Sequence, residues 1–481
     1  MSDGAPFPST KLVCTLGPAT STPETVRALA GVGTAVFRVN FSHGTADDHS
    51  SRVALVRAAE RDLGTSLAVL VDLPGPKVRL GQLAMEPLEI VEGQRFLLRT
   101  DDAPGDQQGA PVSYAGLGSD VEPGDRILLA DGAVELVVRE SEGGVVTECI
   151  RGGEVSSRQG VNAPSERLGL PAITDRDREG LVRALDLGAD LVAQSFVRSA
   201  SDVVDLRRLM GDRPLPLVAK IETRVAVDEA DAILKAADAV MVARGDLGVE
   251  LPMEEIPVIQ KDLLRRARTA GVPSIVATQM LESMIESSRP TRAEATDVAN
   301  AVLDGADAVM LSGETAVGAY PLEAARTALR IAEVAERRGG RFRDEPPACR
   351  HEDGPSAIAH AAAQLAAQHP DAVAIACFTG GGTTPRLLSA ERPRVPIYAF
   401  APNDTVRRGL ALRWGVRPVA ASFPEDTDAT IADMERRLVA LGAAREGDVV
   451  VMAAASPVGQ ATRPNLLKLH RVASTQPTGD R

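Results

Sequence analysis

Apolar runs of four to seven residues recur along the first two thirds of the chain, and a segment of helical length separates most of them. Most runs are rich in Val, Ile and Leu without strict alternation, which is typical of parallel strands buried on both faces. Eight similar β/α units favour a closed (β/α)₈ barrel, a TIM barrel, over an open doubly wound sheet. The eight predicted strands are Lys11–Leu16, Ala35–Phe41, Leu67–Leu73, Leu191–Phe196, Leu217–Ile221, Ala239–Ala243, Pro273–Thr278 and Ala308–Leu311.

One interval departs from the regular spacing of the apolar runs, because more than a hundred residues separate the third run from the fourth. Its β-forming residues lie between Gly, Pro and Asp turns, which predicts a small β domain, a lid of barrel type, at residues 74–164. The barrel then comprises residues 10–73 and 165–338. The segments Pro74 to Pro76 and Asn162 to Ser165 are predicted hinges, which would let the lid close over the strand ends.

The barrel pattern stops near Gly340, and a new β/α alternation begins with a predicted helix at Pro355–Gln368. This pattern predicts a separate C-terminal α/β domain with an open sheet at residues 345–473. Its predicted strands are Ala372–Phe378, Ile397–Phe400, Arg417–Ala420 and Asp448–Ala453.

Composition narrows the range of partners. The 481 residues carry a net charge of −13, which argues against nucleic acid and against anionic membrane surfaces. The four cysteines lie far apart and show no metal-ligand spacing. No apolar run reaches membrane-spanning length, and the first ten residues lack the pattern of a signal peptide. A cytoplasmic location is therefore expected.

Two apolar runs in the middle of the chain end abruptly in charge, the first in Lys220-Ile221-Glu222 and the second in Arg244-Gly245-Asp246. The segment between them has helical spacing, so a β–α–β unit should place both strand ends on the same side of the sheet. A lysine beside two carboxylates is suited to holding a divalent metal and neutralising a phosphoryl group in transfer. A structural ion pair is the alternative interpretation.

Polar groups follow seven of the eight predicted barrel strands. Active sites of such barrels lie at the C-terminal ends of the strands, so these groups are expected to converge on one mouth. The strand ends are Arg38 to Gly44, Asp72, Gln194 to Phe196, Lys220 to Glu222, Ala243 to Asp246, Thr278 with Gln279, and Ser312 to Thr315.

Seven runs of the sequence resemble those of a known family. The runs KLVCTLGPAT, RVNFSHGT, KIE, MVARGDLGVELP, ATQMLESM, PTRAEATDVANAVLDGADAVMLSGETAVGAYP and NLLKLH are similar to pyruvate kinase, in that family's order and spacing. The resemblance covers essentially the whole chain and implies the same three-domain layout. It also implies phosphoryl transfer from phosphoenolpyruvate to ADP, followed by protonation of the enolate to pyruvate.

The resemblance implies a role for each matching strand-end residue. Glu222 and Asp246 match the ligands of the catalytic Mg²⁺ or Mn²⁺, and Lys220 matches the lysine that faces the transferring phosphoryl group. Asp246 and Lys220 also belong to the implied substrate site. Its other members are Arg38, the backbone of Ala243, Arg244 and Gly245, and the hydroxyl of Thr278.

The remaining implied roles concern proton delivery and the nucleotide. Ser312 and Glu314, with Thr278, match residues linked to water-mediated protonation of the enolate. Asn40 and His43 match positions that handle the nucleotide phosphates, and Arg79 is assigned to the same site and, with Arg38, to the phosphoryl group. A helix-capping Thr278 and a solvated loop histidine at His43 are the alternatives.

A departure from the family pattern concerns the monovalent cation. Asn40, Ser42 and Asp72 resemble the K⁺ ligands, but Leu73 lacks the hydroxyl of the corresponding residue in potassium-dependent members. Lys77 stands where those members have a glutamate. A tethered ammonium can supply the charge of the added cation, so K⁺ is expected to be unnecessary.

The C-terminal domain contains a Gly-rich turn between a predicted strand and a predicted helix. Backbone N–H groups there could bind a phosphate, and the resemblance implies a sugar-phosphate effector in this loop, although the match is loose and a plain structural turn is the alternative. The residues concerned are Thr379, Gly381, Gly382, Thr383 and Thr384. The family also implies a homotetramer.

Two other functions compete with an active kinase. Substitutions at Ser199, Gly169 and Gln159 favour a non-catalytic relative that senses phosphoenolpyruvate or a sugar phosphate. A metal-dependent carbon–carbon lyase acting through an enolate is the second. The first is disfavoured by the retention of Lys220, Glu222, Asp246, Thr278 and Arg38. The Ser312 to Thr315 motif with Lys220 disfavours the second.

Overall fold

The computed structural model describes residues 8–164, 167–339, 354–423, 426–455 and 463–473. They fall into two compact units. One comprises Met1–Val71, Asp186–Val192 and Leu264–Arg481, and the other comprises Asp72–Leu185 and Ala193–Leu263. The predicted domain limits at residues 165 and 345 lie outside the described residues, and the other limits stay predictions.

Along the described residues, the strands occur in the order that the apolar runs predicted. The first three belong to the barrel, the next eight to the inserted region, five more to the barrel and the last five to the C-terminal region. They are β1 (Lys11–Thr15), β2 (Thr34–Asn40), β3 (Ala68–Asp72), β4 (Leu88–Ile90), β5 (Arg95–Arg99), β6 (Gly109–Pro111), β7 (Arg126–Leu129), β8 (Val134–Glu140), β9 (Val145–Arg151), β10 (Gly153–Val155), β11 (Val161–Asn162), β12 (Leu191–Gln194), β13 (Leu217–Ile221), β14 (Ala239–Ala243), β15 (Ser274–Ala277), β16 (Ala308–Leu311), β17 (Ala372–Phe378), β18 (Ile397–Ala401), β19 (Val416–Ala420), β20 (Val449–Ala454) and β21 (Leu466–Arg471).

Most helices alternate with the barrel strands or with the strands of the C-terminal region, and one short helix lies in the inserted region. They are α1 (Pro23–Gly31), α2 (Ala46–Leu63), α3 (Leu117–Asp120), α4 (Asp175–Asp186), α5 (Ala200–Leu209), α6 (Arg224–Asp228), α7 (Ala230–Ala236), α8 (Arg244–Glu250), α9 (Ile256–Ala270), α10 (Arg292–Leu303), α11 (Gly313–Ala316), α12 (Pro321–Arg338), α13 (Gly354–Gln368), α14 (Thr383–Ala390), α15 (Asp404–Gly409) and α16 (Thr427–Ala440).

Eight strands close into a barrel in the order β1-β16-β15-β14-β13-β12-β3-β2, which confirms the predicted (β/α)₈ fold. Every residue of β3, β13, β14 and β16 is buried, as expected for strands covered on both faces. The predicted single helix between β13 and β14 forms instead as α6 and α7. The two are separated by Glu229, whose ψ of 10° departs from helical geometry.

The regular structure of the inserted region is β apart from α3 and a 3-10 turn at Ala130–Gly132. It forms a six-stranded sheet in the order β11-β7-β8-β9-β5-β6 and a two-stranded pair of β10 with β4. Its own apolar core includes Ile90, Phe96, Ile127 and Leu136, all of which have no exposed surface. The predicted small β domain is therefore present.

The C-terminal region has a five-stranded sheet in the order β19-β18-β17-β20-β21. The predicted helix and four strands appear there, within a few residues of the expected bounds. Strand β21 was missed because it is an edge strand, antiparallel to β20, that has no buried residue and so lacks a buried apolar run. Within the described part of the chain, no helix combines the length and apolar character needed to cross a membrane.

The first barrel strand contacts the C-terminal sheet through a lysine. Lys11 Nζ donates to the carbonyl oxygen of Val416, at 2.6 Å. Burial lowers the pKa of Lys11 to about 7, with a smaller lowering by Arg417 and an opposing contribution from Glu336. The ammonium is therefore disfavoured in the folded protein relative to the unfolded chain.

We expect this lysine to make stability rise with pH between about 7 and 10.5, because the unfolded chain binds more protons there. Lys11→Met should flatten the pH dependence of the melting temperature over that window. Lys235→Met, at an exposed position of α7, serves as the matched control and should keep the wild-type slope. Equal slopes in wild type and Lys11→Met would contradict the assignment.

Candidate active site

The predicted lysine and carboxylates lie at the ends of β13 and β14. Lys220 is in β13, and Glu222 follows it two residues later, so both side chains point to the same face of the strand. Asp246 lies in α8, which begins directly after β14. The β–α–β arrangement predicted for this segment therefore holds.

Lys220 is the centre of a buried polar cluster. Its side chain is 11% exposed, and its Nζ atom lies 2.9 Å from Glu222 Oε1 and 3.3 Å from Asp72 Oδ1. The same ammonium donates to Ser195 Oγ at 2.8 Å. Because both carboxylates are almost wholly buried, the Lys220 ammonium interacts with two negative charges in a site of low dielectric.

Glu222 has no exposed surface, and its Oε2 accepts the backbone N–H of Phe196 at 2.7 Å. Burial raises the pKa of Glu222, the Lys220 ammonium lowers it, and the negative charge of Asp246 raises it again. The net direction is upward, because burial and the negative charge of Asp246 outweigh the effect of the Lys220 ammonium. Phe196 has a φ of +54°, a strained conformation of the kind that clusters at functional sites.

Asp246 accepts a hydrogen bond from a residue of the inserted region. Lys77 Nζ lies 3.0 Å from Asp246 Oδ1 and 3.6 Å from Asp131 Oδ1. The sequence predicted Lys77 as a replacement for a monovalent cation, but it did not predict this contact with Asp246. Leu73, also predicted near that cation site, is buried, and its carbonyl oxygen accepts from Ser195 Oγ at 2.7 Å.

Ser195 is the residue in this cluster that sequence reasoning did not assign. Its hydroxyl accepts from Lys220 and donates to the Leu73 carbonyl, so it fixes the position of the ammonium. Asp72 Oδ1 lies 3.3 Å from the same hydroxyl. The only sequence signal was its location immediately after a buried strand, a feature shared with many loop residues.

Four other predicted residues of this unit surround the end of β14 or lie in the lid. Ala243 ends β14, and Arg244 and Gly245 begin α8, so their backbone N–H groups belong to the first turn of that helix. The Arg244 side chain donates to Gln260 Oε1 at 3.4 Å. The Arg79 guanidinium donates to the carbonyl oxygen of Arg158, at 2.9 Å, within the inserted region.

The other compact unit carries the predicted residues that follow β2. Arg38 is buried in that strand and donates through Nη1 to Thr15 Oγ1 at 3.2 Å. The loop after the strand is a turn in which Asn40 Oδ1 accepts the N–H of Ser42 at 3.0 Å and Asn40 O accepts that of His43 at 3.3 Å. The His43 side chain is exposed.

The same unit carries the predicted residues that follow β15 and β16. Thr278 has a φ of +68° and Gln279 a φ of +53°, which is uncommon for non-glycine residues and most unusual for β-branched threonine. The Thr278 hydroxyl donates to the carbonyl oxygen of Ala277, at 2.5 Å. This strain is again of the type found at functional sites.

Glu314 is a buried carboxylate that organises this loop. It accepts the N–H of Leu281 at 3.0 Å and that of Ser312 at 2.7 Å. Ser312 Oγ is buried and has no hydrogen-bond partner among the described residues. A buried hydroxyl of this kind is usually satisfied by a water molecule or a ligand.

The predicted effector loop lies between β17 and α14. Thr379 Oγ1 accepts the N–H of Gly382 at 2.8 Å, and Gly382 has a φ of +83°, so the turn before Thr383 requires glycine. Gly381 is exposed and Thr384 is buried. The geometry is that of a compact strand–helix turn.

The donor set at the ends of β13 and β14 fits a divalent cation. Glu222 and Asp246 supply hard carboxylate oxygens, which Mg²⁺ and Mn²⁺ prefer. Burial and the negative charge of Asp246 raise the pKa of Glu222, and a cation bound to the Glu222 carboxylate would favour its ionised form.

A closed (β/α)₈ barrel with an inserted β domain, and with a buried lysine and two carboxylates at adjacent strand ends, defines a barrel enzyme suited to charged substrates. Comparison with known sequences shows which enzyme family the chain belongs to. The profile of the pyruvate kinase barrel domain matches residues 7–325, and that of the pyruvate kinase alpha/beta domain matches residues 356–470.

Full-length relatives agree with the profiles. The chain is 43% identical to the pyruvate kinase of Mycobacterium intracellulare and 44% identical to that of Mycobacterium tuberculosis H37Rv. Both matches cover 96% of this chain and 98% of the relative. Identity to the pyruvate kinase of Corynebacterium glutamicum is 42%, over 96% of this chain and 97% of the relative. The chain belongs to the pyruvate kinase family, whose members are phosphotransferases of class EC 2.7.1.40.

Proposed function

We propose that this protein catalyses Mg²⁺-dependent phosphoryl transfer from phosphoenolpyruvate to ADP, giving pyruvate and ATP in the last step of glycolysis, in the cytoplasm. The observation that carries the proposal is the buried Lys220 ammonium, held at hydrogen-bond distance from Ser195 and Glu222. Family membership supplies the substrates, and the charges of this cluster supply the physical reason for the reaction.

Phosphoryl transfer makes few demands on covalent chemistry and large demands on charge. Lys220 is the group proposed to face the transferring phosphoryl group and then the enolate oxygen. Its position is fixed by three oxygen atoms, so the cation does not have to reorganise as negative charge develops. Such preorganised charge stabilises the transition state more than the ground state.

Glu222 and Asp246 are proposed to hold Mg²⁺, with Mn²⁺ as the substitute. When bound, the metal would neutralise charge on the substrate oxygens. Glu222 is held in place by the Phe196 N–H group, which orients its carboxylate before any metal arrives.

The carboxylate of phosphoenolpyruvate is assigned to the backbone N–H groups of Ala243, Arg244 and Gly245. These residues lie at the N-terminal end of α8, and the N-terminus of a helix favours anions. Family resemblance assigns Arg38 and the Thr278 hydroxyl to the same substrate. Arg38 is preorganised by its hydrogen bond to Thr15, since a fixed guanidinium loses less entropy on binding phosphate.

Protonation of the enolate is assigned to water held near Thr278, Ser312 and Glu314. The buried Ser312 hydroxyl, which has no hydrogen-bond partner among the described residues, is suited to contacting such a water molecule. Glu314 fixes the Ser312 backbone through the hydrogen bond to its N–H group. The nucleotide phosphates are assigned by family resemblance to Asn40, His43 and Arg79.

The proposed effector class and oligomeric state are those of the pyruvate kinase family. A sugar phosphate is the effector class that suits the turn containing Thr379, Gly381, Gly382, Thr383 and Thr384, and a homotetramer is the proposed assembly. Binding of inorganic phosphate or a sugar phosphate, lost in a Thr383→Glu variant by charge repulsion, would support the effector assignment.

A coupled assay tests the proposal against its alternatives. Purified protein is supplied with phosphoenolpyruvate, ADP and Mg²⁺, and pyruvate is detected with lactate dehydrogenase. Turnover that requires all three components supports the kinase. No turnover together with phosphoenolpyruvate binding would favour a sensor, and cleavage of a 2-oxo acid without ADP would favour a lyase.

K⁺ is expected to be unnecessary for activity, because Lys77 stands where potassium-dependent members have a glutamate and supplies a tethered positive charge. Rates in tetramethylammonium chloride and in KCl of equal ionic strength should agree within about twofold. The comparison is made in Tris buffer at saturating Mg²⁺. A large, saturable stimulation by K⁺ would contradict the expectation.

A further inference from the structure

The contact between Lys77 and Asp246 joins the inserted region to a proposed metal ligand. The ammonium and the Asp246 carboxylate are 3.0 Å apart, and their side chains are 22% and 24% exposed. On its other side, the ammonium lies 3.6 Å from Asp131, whose side chain is 78% exposed. Lys77 thus bridges a carboxylate of the lid and a carboxylate of the barrel.

The backbone and its neighbours direct this side chain towards Asp246. Lys77 N–H donates to the carbonyl oxygen of Gly75 at 3.0 Å, in a tight turn where Gly75 has a φ of +69°. A Cβ atom at Gly160 would lie 2.8 Å from Lys77 Cε. The absence of a side chain at Gly160 therefore lets the lysine stem pass along the lid.

Asp131 is held on a turn of the same lid. Its φ is +52°, and the turn is closed by an N–H bond from Ala133 to the carbonyl oxygen of Ala130, at 3.1 Å. The Ala130 N–H donates in turn to the carbonyl oxygen of Gly160, at 3.2 Å. Gly160 therefore contacts both the lysine stem and the turn that carries Asp131.

The Lys77 ammonium on Asp246 Oδ1 and a divalent cation bound to the same carboxylate would repel each other, because both are positive. We propose that Lys77 and the divalent metal compete for Asp246. In the metal-free enzyme the Lys77 ammonium pairs with this carboxylate and so links the lid to α8. Metal binding displaces the ammonium and breaks this link. The inference rests on the proposed role of Asp246 as a metal ligand.

Displacement also explains how one lysine serves two purposes. While it contacts Asp246, the ammonium is neutralised by that carboxylate and by Asp131. Once the metal takes Asp246, the ammonium becomes available as the charge that stands in for a monovalent cation. Metal binding and the positioning of Lys77 are then coupled events.

The test measures Mn²⁺ binding to the full-length, substrate-free protein by the electron paramagnetic resonance signal of free Mn²⁺. Lys77→Met should lower the Kd for Mn²⁺ by about tenfold, since the competing cation is gone. Lys235→Met removes an exposed lysine of the same unit and should leave the Kd unchanged. An unchanged Kd in Lys77→Met would overturn the proposal.

Hydrogen exchange tests the link between the lid and α8 independently of the Kd for Mn²⁺. Mn²⁺ should increase amide exchange in the turn at Ala130 to Ala133 of the wild type, and Lys77→Met should show the increased exchange without metal. If Mn²⁺ slows exchange in that turn in the wild type, or leaves it unaltered, the competition is refuted even where the Kd falls.

A third variant separates this inference from the proposed function. Asp246→Asn should weaken Mn²⁺ binding by about tenfold or more if Asp246 is a metal ligand. Should Asp246→Asn weaken binding while Lys77→Met leaves it unchanged, the metal assignment stands and the competition fails. Should Asp246→Asn leave Mn²⁺ binding unchanged, the metal assignment itself fails.

Discussion

Lys220→Met is expected to lower kcat by about 10³-fold or more, the magnitude typical of removing a preorganised charge from a phosphoryl-transfer site. Methionine keeps most of the length of the side chain and removes the cation that compensates Asp72 and Glu222. The loss should fall on kcat rather than on KM, because the charge is needed most in the transition state. Steady-state kinetics with phosphoenolpyruvate and ADP measure both constants.

Folding must be controlled in this variant, since two buried carboxylates lose the Lys220 ammonium beside them. Removing one partner of a buried ion pair costs about 3–5 kcal/mol, so a lower melting temperature is expected, with Mn²⁺ restoring part of it. Circular dichroism checks the fold, and Lys235→Met provides the exposed-lysine control. A well-folded Lys220→Met enzyme with nearly normal kcat would remove this residue from the mechanism.

Glu222→Gln is expected to abolish the stabilisation of the protein by Mn²⁺ and to lower activity by about 10²-fold or more. The amide has the same shape but lacks the charge, and it can still accept from the Phe196 N–H group. In the wild type, Mn²⁺ at about 100 times its Kd should stabilise the fold by about 2.7 kcal/mol. Thermal unfolding with and without Mn²⁺ measures this difference.

Glu254→Gln, at an exposed position of the same unit, is the matched control and should keep the full Mn²⁺ effect. Persistence of that effect in Glu222→Gln would place the metal elsewhere. Loss of the effect in both variants would show that it depends on net charge rather than on a specific ligand.

Pattern alone predicted most of the barrel, because its strands are continuous apolar runs buried on both faces. The same signal failed for β21, which has no buried residue and lies at the edge of its sheet. It also merged α6 and α7 into one helix, since a single non-helical residue at Glu229 leaves no trace in apolar spacing.

The sequence by itself determined the identities and order of the charged groups at the strand ends, and these were enough to suggest the family. It could not reveal that Ser195 fixes Lys220 or that the Phe196 N–H group fixes Glu222. Nor could it show that Lys77 reaches Asp246, 169 residues further along the chain. Only the tertiary structure decided these contacts, because they depend on how separate strand ends and the inserted lid come to lie within 3 Å of one another.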